Sequence, residues 1–467
     1  MASKRDLVEA QAYSRRRLLT AFSSGAPGGQ ELEPTKPMRG VVAGLLLTVV
    51  VVLGSLAWGL LQPTLPDGWD QGKLVVTDNG ARYVAIDGVL HPVRNATSAY
   101  LAVPSSTFAV IQVDADDIAD APRGPEIGIV DAPDAPPARA ALVGTGWTAC
   151  VAEDGVSTSV GIDVGAVPAS SALVRVDDAT YLVVDGLRHL VDPEQETAVL
   201  RALGLDTTTP VETTAAWLNL LPAGSDLTPL TVDGAGERVD APDELGDVRI
   251  GTVVRQSGVG QGERTFVVVE DGLAPLSEFA LGLYELGSGQ DATEIDVTAA
   301  QIAGLPNAGR PVGPADWPTE PVEPLPADLV PCVLLTSGGA RTGTASGTET
   351  DATTDATTDA TTDATTDATV QLVAVPAPTD TSPGAGIHVA PGAGALVVAR
   401  TTTGGAGVHG LVDETGRLFA LPTADDETLA RLGYVPADVR AVPPAWTALF
   451  PAGPDLTTEA ALDLGTS

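Results

Sequence analysis

Aromatic residues make up 4% of this chain of 467 residues, its only lysines are Lys4, Lys36 and Lys73, and cysteine occurs twice, as Cys150 and Cys332. With so few rings, any core must rest on Val, Leu and Ala, which the hydrophobic content of 44% supplies. The scarcity of cations is uneven. Seven of the 25 basic residues lie before residue 40, beside four acids, so the remainder carries 18 basic against 57 acidic groups. That surplus argues against nucleic acid or anionic lipid as partners for residues beyond 40 and suits a solvated surface. The four histidines show no H-x-x-x-H spacing, and no G-x-S-x-G elbow is present.

Glycine (51) and proline (37) are plentiful, which favours short strands and many turns. The length has room for roughly three domains of about 150 residues, or for more numerous small modules.

The one long apolar run, VVAGLLLTVVVVLGSLAWGLL from Val41 to Leu61, carries no charge and predicts a membrane-spanning helix. Arg15 to Arg17, Lys36 and Arg39 precede it, while Asp67 and Asp70 follow. The positive-inside rule then puts the N-terminus in the cytoplasm and the remainder outside. A cleaved signal peptide fits less well, because its apolar region and its leader would both be shorter. Upstream, Ser3 and Asp6 form a capping-box pattern for a helix over Lys4 to Phe22. Both cysteines fall on the expected exported side, where one disulfide between Cys150 and Cys332 is expected.

The chain also repeats itself. WLNLLPAGSDLT from Trp217 returns as WTALFPAGPDLT from Trp446, with Gly224 matching Gly453. ARYVAIDGVLHPV, from Ala81, matches ATYLVVDGLRHLV, from Ala179, so Tyr83, Asp87 and Gly88 align with Tyr181, Asp185 and Gly186. Each Asp-Gly between apolar runs reads as a two-residue hairpin turn. Helices should follow, one capped by Asp192 and ending at Gly204, another capped by Thr423 and ending at Gly433. A degenerate further copy begins near Phe266, giving four ββα-type units. Trp217 and Trp446 read as core anchors, Gly224 and Gly453 as turn positions, and His91 and His189 as packing residues. Gly338 to Thr369, with its DATT repeats, reads as a disordered loop.

Chemistry-bearing motifs are weak. DGWDQGKL, from Asp67, has Asp67 where a phosphate loop needs its first glycine and Leu74 where it needs Ser or Thr. GVGQG at Gly258 precedes a strand pattern, not the helix that a dinucleotide site requires. VDADDIAD, from Val113, lacks the glycine and glutamate of a calcium loop. No catalytic residue, cofactor or metal site is assigned.

Taken in order, SKRDLVEAQAYSRRRLLTAF, the apolar run, the Tyr-Val-x-x-Asp-Gly hairpins, GWTAC, VPC, PGAGALV, LGYVP and FPAGPDL resemble the EccB family, a membrane component of the type VII (ESX) secretion system. The resemblance covers essentially the whole chain; the DATT insert departs from it and leaves the flanking motifs intact. It implies an α+β protein: one N-terminal transmembrane helix, then an elongated extracytoplasmic region with four small ββα-type repeat domains around a central β domain. It also implies assembly with EccC, EccD and EccE-like subunits in the cell membrane, and self-association. Some members carry an ATPase label, for which these residues give no physical support.

The expected layout is a cytoplasmic helix in 1–39, the membrane helix in 40–62, repeat 1 in 63–120, the first part of the central domain in 121–172, repeat 2 in 173–230 and repeat 3 in 231–305. The second part of the central domain takes 306–404, including the 338–369 loop, and repeat 4 takes 405–460. The expected function is a structural and assembly subunit supporting export of small helical substrate proteins, without enzymatic activity. The alternative is a membrane-tethered module that binds peptidoglycan, since small repeated units bind repetitive polymers through avidity. A third reading is an exported hydrolase whose acids converge only in space.

Overall fold

The computed structural model describes residues 3–24, 37–61, 65–239, 248–258, 261–288, 293–337, 368–377, 384–400 and 407–463. The chain divides into two compact units, Met1–Asp67 and Gly68–Ser467.

The first unit contains helices Lys4–Ser24 and Pro37–Leu61. Half of the expected capping box is in place: the Ser3 N–H donates to Asp6 at 3.0 Å, while the Ser3 hydroxyl accepts from the Arg5 N–H at 3.2 Å and the Asp6 N–H goes to the Ser3 carbonyl. The expected transmembrane helix is corrected. Among the described residues no helix is long and apolar enough to cross a membrane. The single-pass placement is corrected with it.

In the second unit four modules share one topology. Module 1 runs through strands Lys73–Thr77, Arg82–Ile86 and Val89–Pro92, helix Ala96–Ala102 and strand Ala109–Val113. The order repeats at Ser171–Val176 to Val211–Glu212 (module 2), Val253–Gly258 to Glu294–Thr298 (module 3) and Ala395–Ala399 to Arg440–Val442 (module 4). In each of the four module sheets the spatial order is third, second, first, then last strand. The last strand lies parallel to the first, after a helical crossover. The expected ββα unit is therefore a βββαβ unit. Its last strand carries no sequence signal because it can be as short as Val211–Glu212, too short to show a period.

The Asp-Gly turns explain why the second and third strands pair so closely. Asp87 and Gly88 have φ of 49° and 80°, and Asp185 and Gly186 have 51° and 75°. Positive φ at both central residues matches the turn to the right-handed strand twist. Helix starts shift from expectation. Asp192 accepts from the Glu194 N–H in a turn before helix Glu196–Ala202, and Asp425, not Thr423, caps Asp426–Arg431 by accepting from the Thr428 N–H at 2.8 Å. Gly204 and Gly433, at φ of 71° and 84°, follow the ends of these helices.

The central sheet has six strands, ordered Gly386–Val389, Gly155–Val160, Trp147–Ala152, Leu329–Ser337, Ala368–Pro376 and Val167–Pro168. The expected disordered segment falls outside the described residues over 338–367, while Ala368 and Thr369 already belong to a strand. Modules 2 and 4 pack on this sheet through one core containing Trp147, Val333, Trp217 and Trp446. Modules 2 and 3 share a second core around Leu200, Phe279, Leu283 and Trp317. Modules 1 and 4 share a third around Leu101, Ile129, Leu429 and Tyr434.

Candidate functional site

The duplicated tryptophan segment has a definite job in the fold. After the last strand of module 2, helix Ala215–Leu218 turns the chain back, and Pro222 to Leu227 then runs alongside the third strand. The Arg188 N–H donates to the Pro222 carbonyl at 3.0 Å, and the Gly224 N–H returns a bond to Arg188 at 2.9 Å. In module 4 the Leu418 N–H donates to Pro451 at 2.9 Å and Gly453 to Leu418 at 2.7 Å. Modules 1 and 3 do the same with Pro122 and Gly124 around Leu90, and with Pro306 and Ala308 around Leu273. Every module thus covers the free edge of its third strand with a Pro-x-Gly or Pro-x-Ala segment, which removes an exposed sheet edge. The copies in modules 1 and 3 lack the tryptophan, so only the Pro-x-Gly spacing after the hairpin signals the first of them.

Gly224 and Gly453, expected at turns, make close approaches here. A Cβ on Gly224 would stand 2.4 Å from the His189 ring, one on Gly453 would stand 2.4 Å from the Phe419 ring, and one on Gly124 would stand 2.3 Å from the His91 ring. Module 3 has Ala274 in place of the ring and tolerates Ala308 in place of the glycine. The two positions exchange volume as a pair. The buried His189 ring donates from Nδ1 to the Ser225 carbonyl, 2.8 Å away, and His91 does so to Pro125 at 3.0 Å; a carbonyl can only accept, which fixes the tautomer.

Trp217 and Trp446 are fully buried. The Trp217 indole N–H donates to the Ala149 carbonyl of the central sheet at 3.0 Å. Trp446 meets Trp147 edge-on, with ring centroids 6.3 Å apart. The disulfide lies in the same sheet: Cys150 and Cys332 stand directly opposite on adjacent antiparallel strands and are joined across a separation of 182 residues.

The other sequence features fall into the scaffold. Lys73 begins a strand and its Nζ donates to the Thr107 carbonyl at 2.8 Å. Gly258 pairs with Gln261 across a hairpin, and Ile118, within the acidic stretch, is fully buried. Among the described residues no group of three or more His, Cys, Asp or Glu is arranged to hold a metal ion. A cleft of about 640 Å³ opens on module 2, lined among others by Tyr181, Arg188, Asn219, Ala223 and Asp226. The sequence reading missed it, because its walls come from the hairpin, the short helix and the return segment together.

Four βββαβ modules, two of them packed on a disulfide-linked central sheet, define a multi-module α+β fold whose geometry repeats between copies in the closure of the third-strand edge. The chain belongs to the EccB family: the family model described as "Type VII secretion system ESX-1, transport TM domain B" matches residues 1–464. A curated relative, the ESX-2 secretion system ATPase EccB2 of Mycobacterium tuberculosis, is 31% identical over 301 residues, covering 59% of this chain and 60% of the relative. The match thus spans less than two thirds of that relative's length. A chain from the structure of an EccB3 dimer from the ESX-3 core complex has a TM-score of 0.63 at 25% identity, covering 84% of this chain and 99% of that one. A chain from an intact ESX-5 inner membrane complex shares the fold, with a TM-score of 0.64 at 22% identity and coverage of 99% and 95%.

Proposed function

We propose that this protein is a structural and assembly subunit of a type VII secretion membrane complex, supporting export of small helical substrate proteins. The observation that carries the reading is the family match over residues 1–464. The architecture supports it, since chemically matched positions in the four modules close strand edges or fill cores. The relatives described as part of an ESX inner membrane complex and as an EccB3 dimer suggest the company it keeps. Its partners on this reading are EccC, EccD and EccE-like subunits and a second copy of itself. The Cys150–Cys332 bond favours an oxidising compartment, so residues 68–467 are assigned to the extracytoplasmic side of the membrane.

The relatives' names include the word ATPase. A scaffold role without nucleotide chemistry accords with Lys73 being engaged by the Thr107 carbonyl and with the missing hydroxyl residue at Leu74. Detergent extraction followed by affinity purification tests the reading. EccC-like and EccD-like chains should co-purify, and deletion should stop export of the small helical substrates. Isolation of this chain alone, with secretion continuing, overturns it. Sedimentation of the chain with peptidoglycan would instead favour the wall-binding alternative.

A further inference from the structure

Modules 1 and 2 carry the same aromatic at the same register, Tyr83 opposite Pro92 and Tyr181 opposite Leu190. What lies over the two rings differs. In module 1 the return segment reads Pro122-Arg123-Gly124, and the Arg123 guanidinium sits 4.4 Å from the centre of the Tyr83 ring. Its Nη2 also donates to the Ile118 carbonyl at 3.2 Å. In module 2 the segment reads Pro222-Ala223-Gly224, so the side chain stops at a methyl group, and the Tyr181 ring lines the open cleft.

The rest of the seat is retained. Ile118 and Leu218 each lie four residues before the proline, and each carbonyl accepts from the residue three positions on, Ala121 or Leu221, at 3.2 Å. In module 1 that carbonyl takes the guanidinium as a second donor; in module 2 Leu218 lines the cleft. Asp177, Asp178 and Asp226 add negative charge to its walls. Arg188, the cation among the lining residues, donates at 2.6 Å to Asn219, which also lines the cleft, and is outnumbered there by the three carboxylates. Neither of the other modules repeats this arrangement. Module 4 has Gly410 at the aromatic position, covered by Leu418, and module 3 has Phe266 with Asn307 on the return segment.

We infer that the module 2 cleft is a receptor for an arginine side chain presented by another polypeptide, which stacks on Tyr181 as Arg123 stacks on Tyr83. A planar guanidinium suits both the ring face and the carbonyl, whereas an ammonium matches only the charge. One arginine binds weakly alone, so it acts as an anchor within a larger contact.

The test uses the full chain in detergent, labelled with 3-fluorotyrosine, with the Tyr181 resonance assigned by Tyr181→Phe. The probe is an acetyl- and amide-capped Gly-Arg-Gly peptide, compared with its citrulline and lysine counterparts. The arginine peptide should shift the Tyr181 resonance saturably at millimolar concentration, the lysine peptide should bind severalfold more weakly, and the citrulline peptide should have no effect. Ala223→Arg, at an exposed position, should shift the resonance by itself and weaken the peptide response at least tenfold. Arg123→Ala should create a new response at Tyr83. The inference is overturned by the absence of a saturable shift, by an equal response to citrulline or lysine, or by an undiminished response in Ala223→Arg.

Discussion

The indole N–H of Trp217 donates to the carbonyl oxygen of Ala149 across 68 residues of sequence, at 3.0 Å in a fully buried site. Trp446, its copy 229 residues on, reaches the same core, yet its buried indole N–H has no hydrogen-bond partner among the described residues. Identical residues thus dock two modules on one sheet by different means.

Replacing these rings should separate the two mechanisms. Trp217→Phe forfeits a buried hydrogen bond, at a cost of about 0.5–1.5 kcal/mol beyond the loss of volume. Trp446→Phe removes a donor that has no acceptor, so its destabilisation should be smaller. Urea unfolding of the two variants, with alanine replacements costing about 3–5 kcal/mol as a reference, measures the difference.

The ring and glycine pair gives a coupling prediction. Gly224→Ala drives a methyl group into the His189 ring and should destabilise by about 1–3 kcal/mol. His189→Ala opens a cavity. Combined, the two should cost less than their sum, because they reproduce the Ala274 and Ala308 arrangement of module 3. A double-mutant cycle in thermal denaturation reads the coupling, and strict additivity would show that the pair does not exchange volume.

Reduction of the disulfide is expected to weaken the second unit strongly. A closed loop with a separation of 182 residues is worth about 5 kcal/mol in chain entropy. Paired replacement, Cys150→Ala with Cys332→Ala, should lower the unfolding temperature and abolish its sensitivity to reductant.

Acid should loosen the contact between modules 1 and 4. The Ser105 N–H and hydroxyl donate to Glu427 at 3.0 and 2.9 Å, which holds its carboxyl below the ordinary value of 4.5, with Arg431 assisting. A depressed carboxylate contributes stability that is fully present above its ordinary value and is lost as pH falls through its folded value. The protection factor of the Ser105 amide, taken relative to intrinsic exchange at each pH, should therefore fall below about pH 4.5 in the native protein. In Glu427→Gln that pH dependence should be absent.

Much of the module was legible in local sequence. The Asp-Gly turns require positive φ at two successive positions, a demand that few residue pairs meet, so Asp87-Gly88 and Asp185-Gly186 announced themselves. The last strand was missed because it pairs with the first only across the helical crossover, and Val211–Glu212 offers two residues from which to judge a period. Gly224 was singled out for the wrong constraint. Sequence marks where a glycine stands, but the ring that excludes a Cβ there comes from His189, on a strand reached only after folding.

The sequence by itself determined the repeats, the hairpin turns, the pair of cysteines and the family, because each is written in adjacent residues or in their order. Tertiary structure alone decided that modules pair as 1 with 4 and 2 with 3, that the tryptophans dock on a common sheet, and that Ala223 leaves open over Tyr181 a seat that Arg123 fills over Tyr83. Those facts depend on which surfaces meet, and contact between residues far apart in the chain is set by the packing of whole modules.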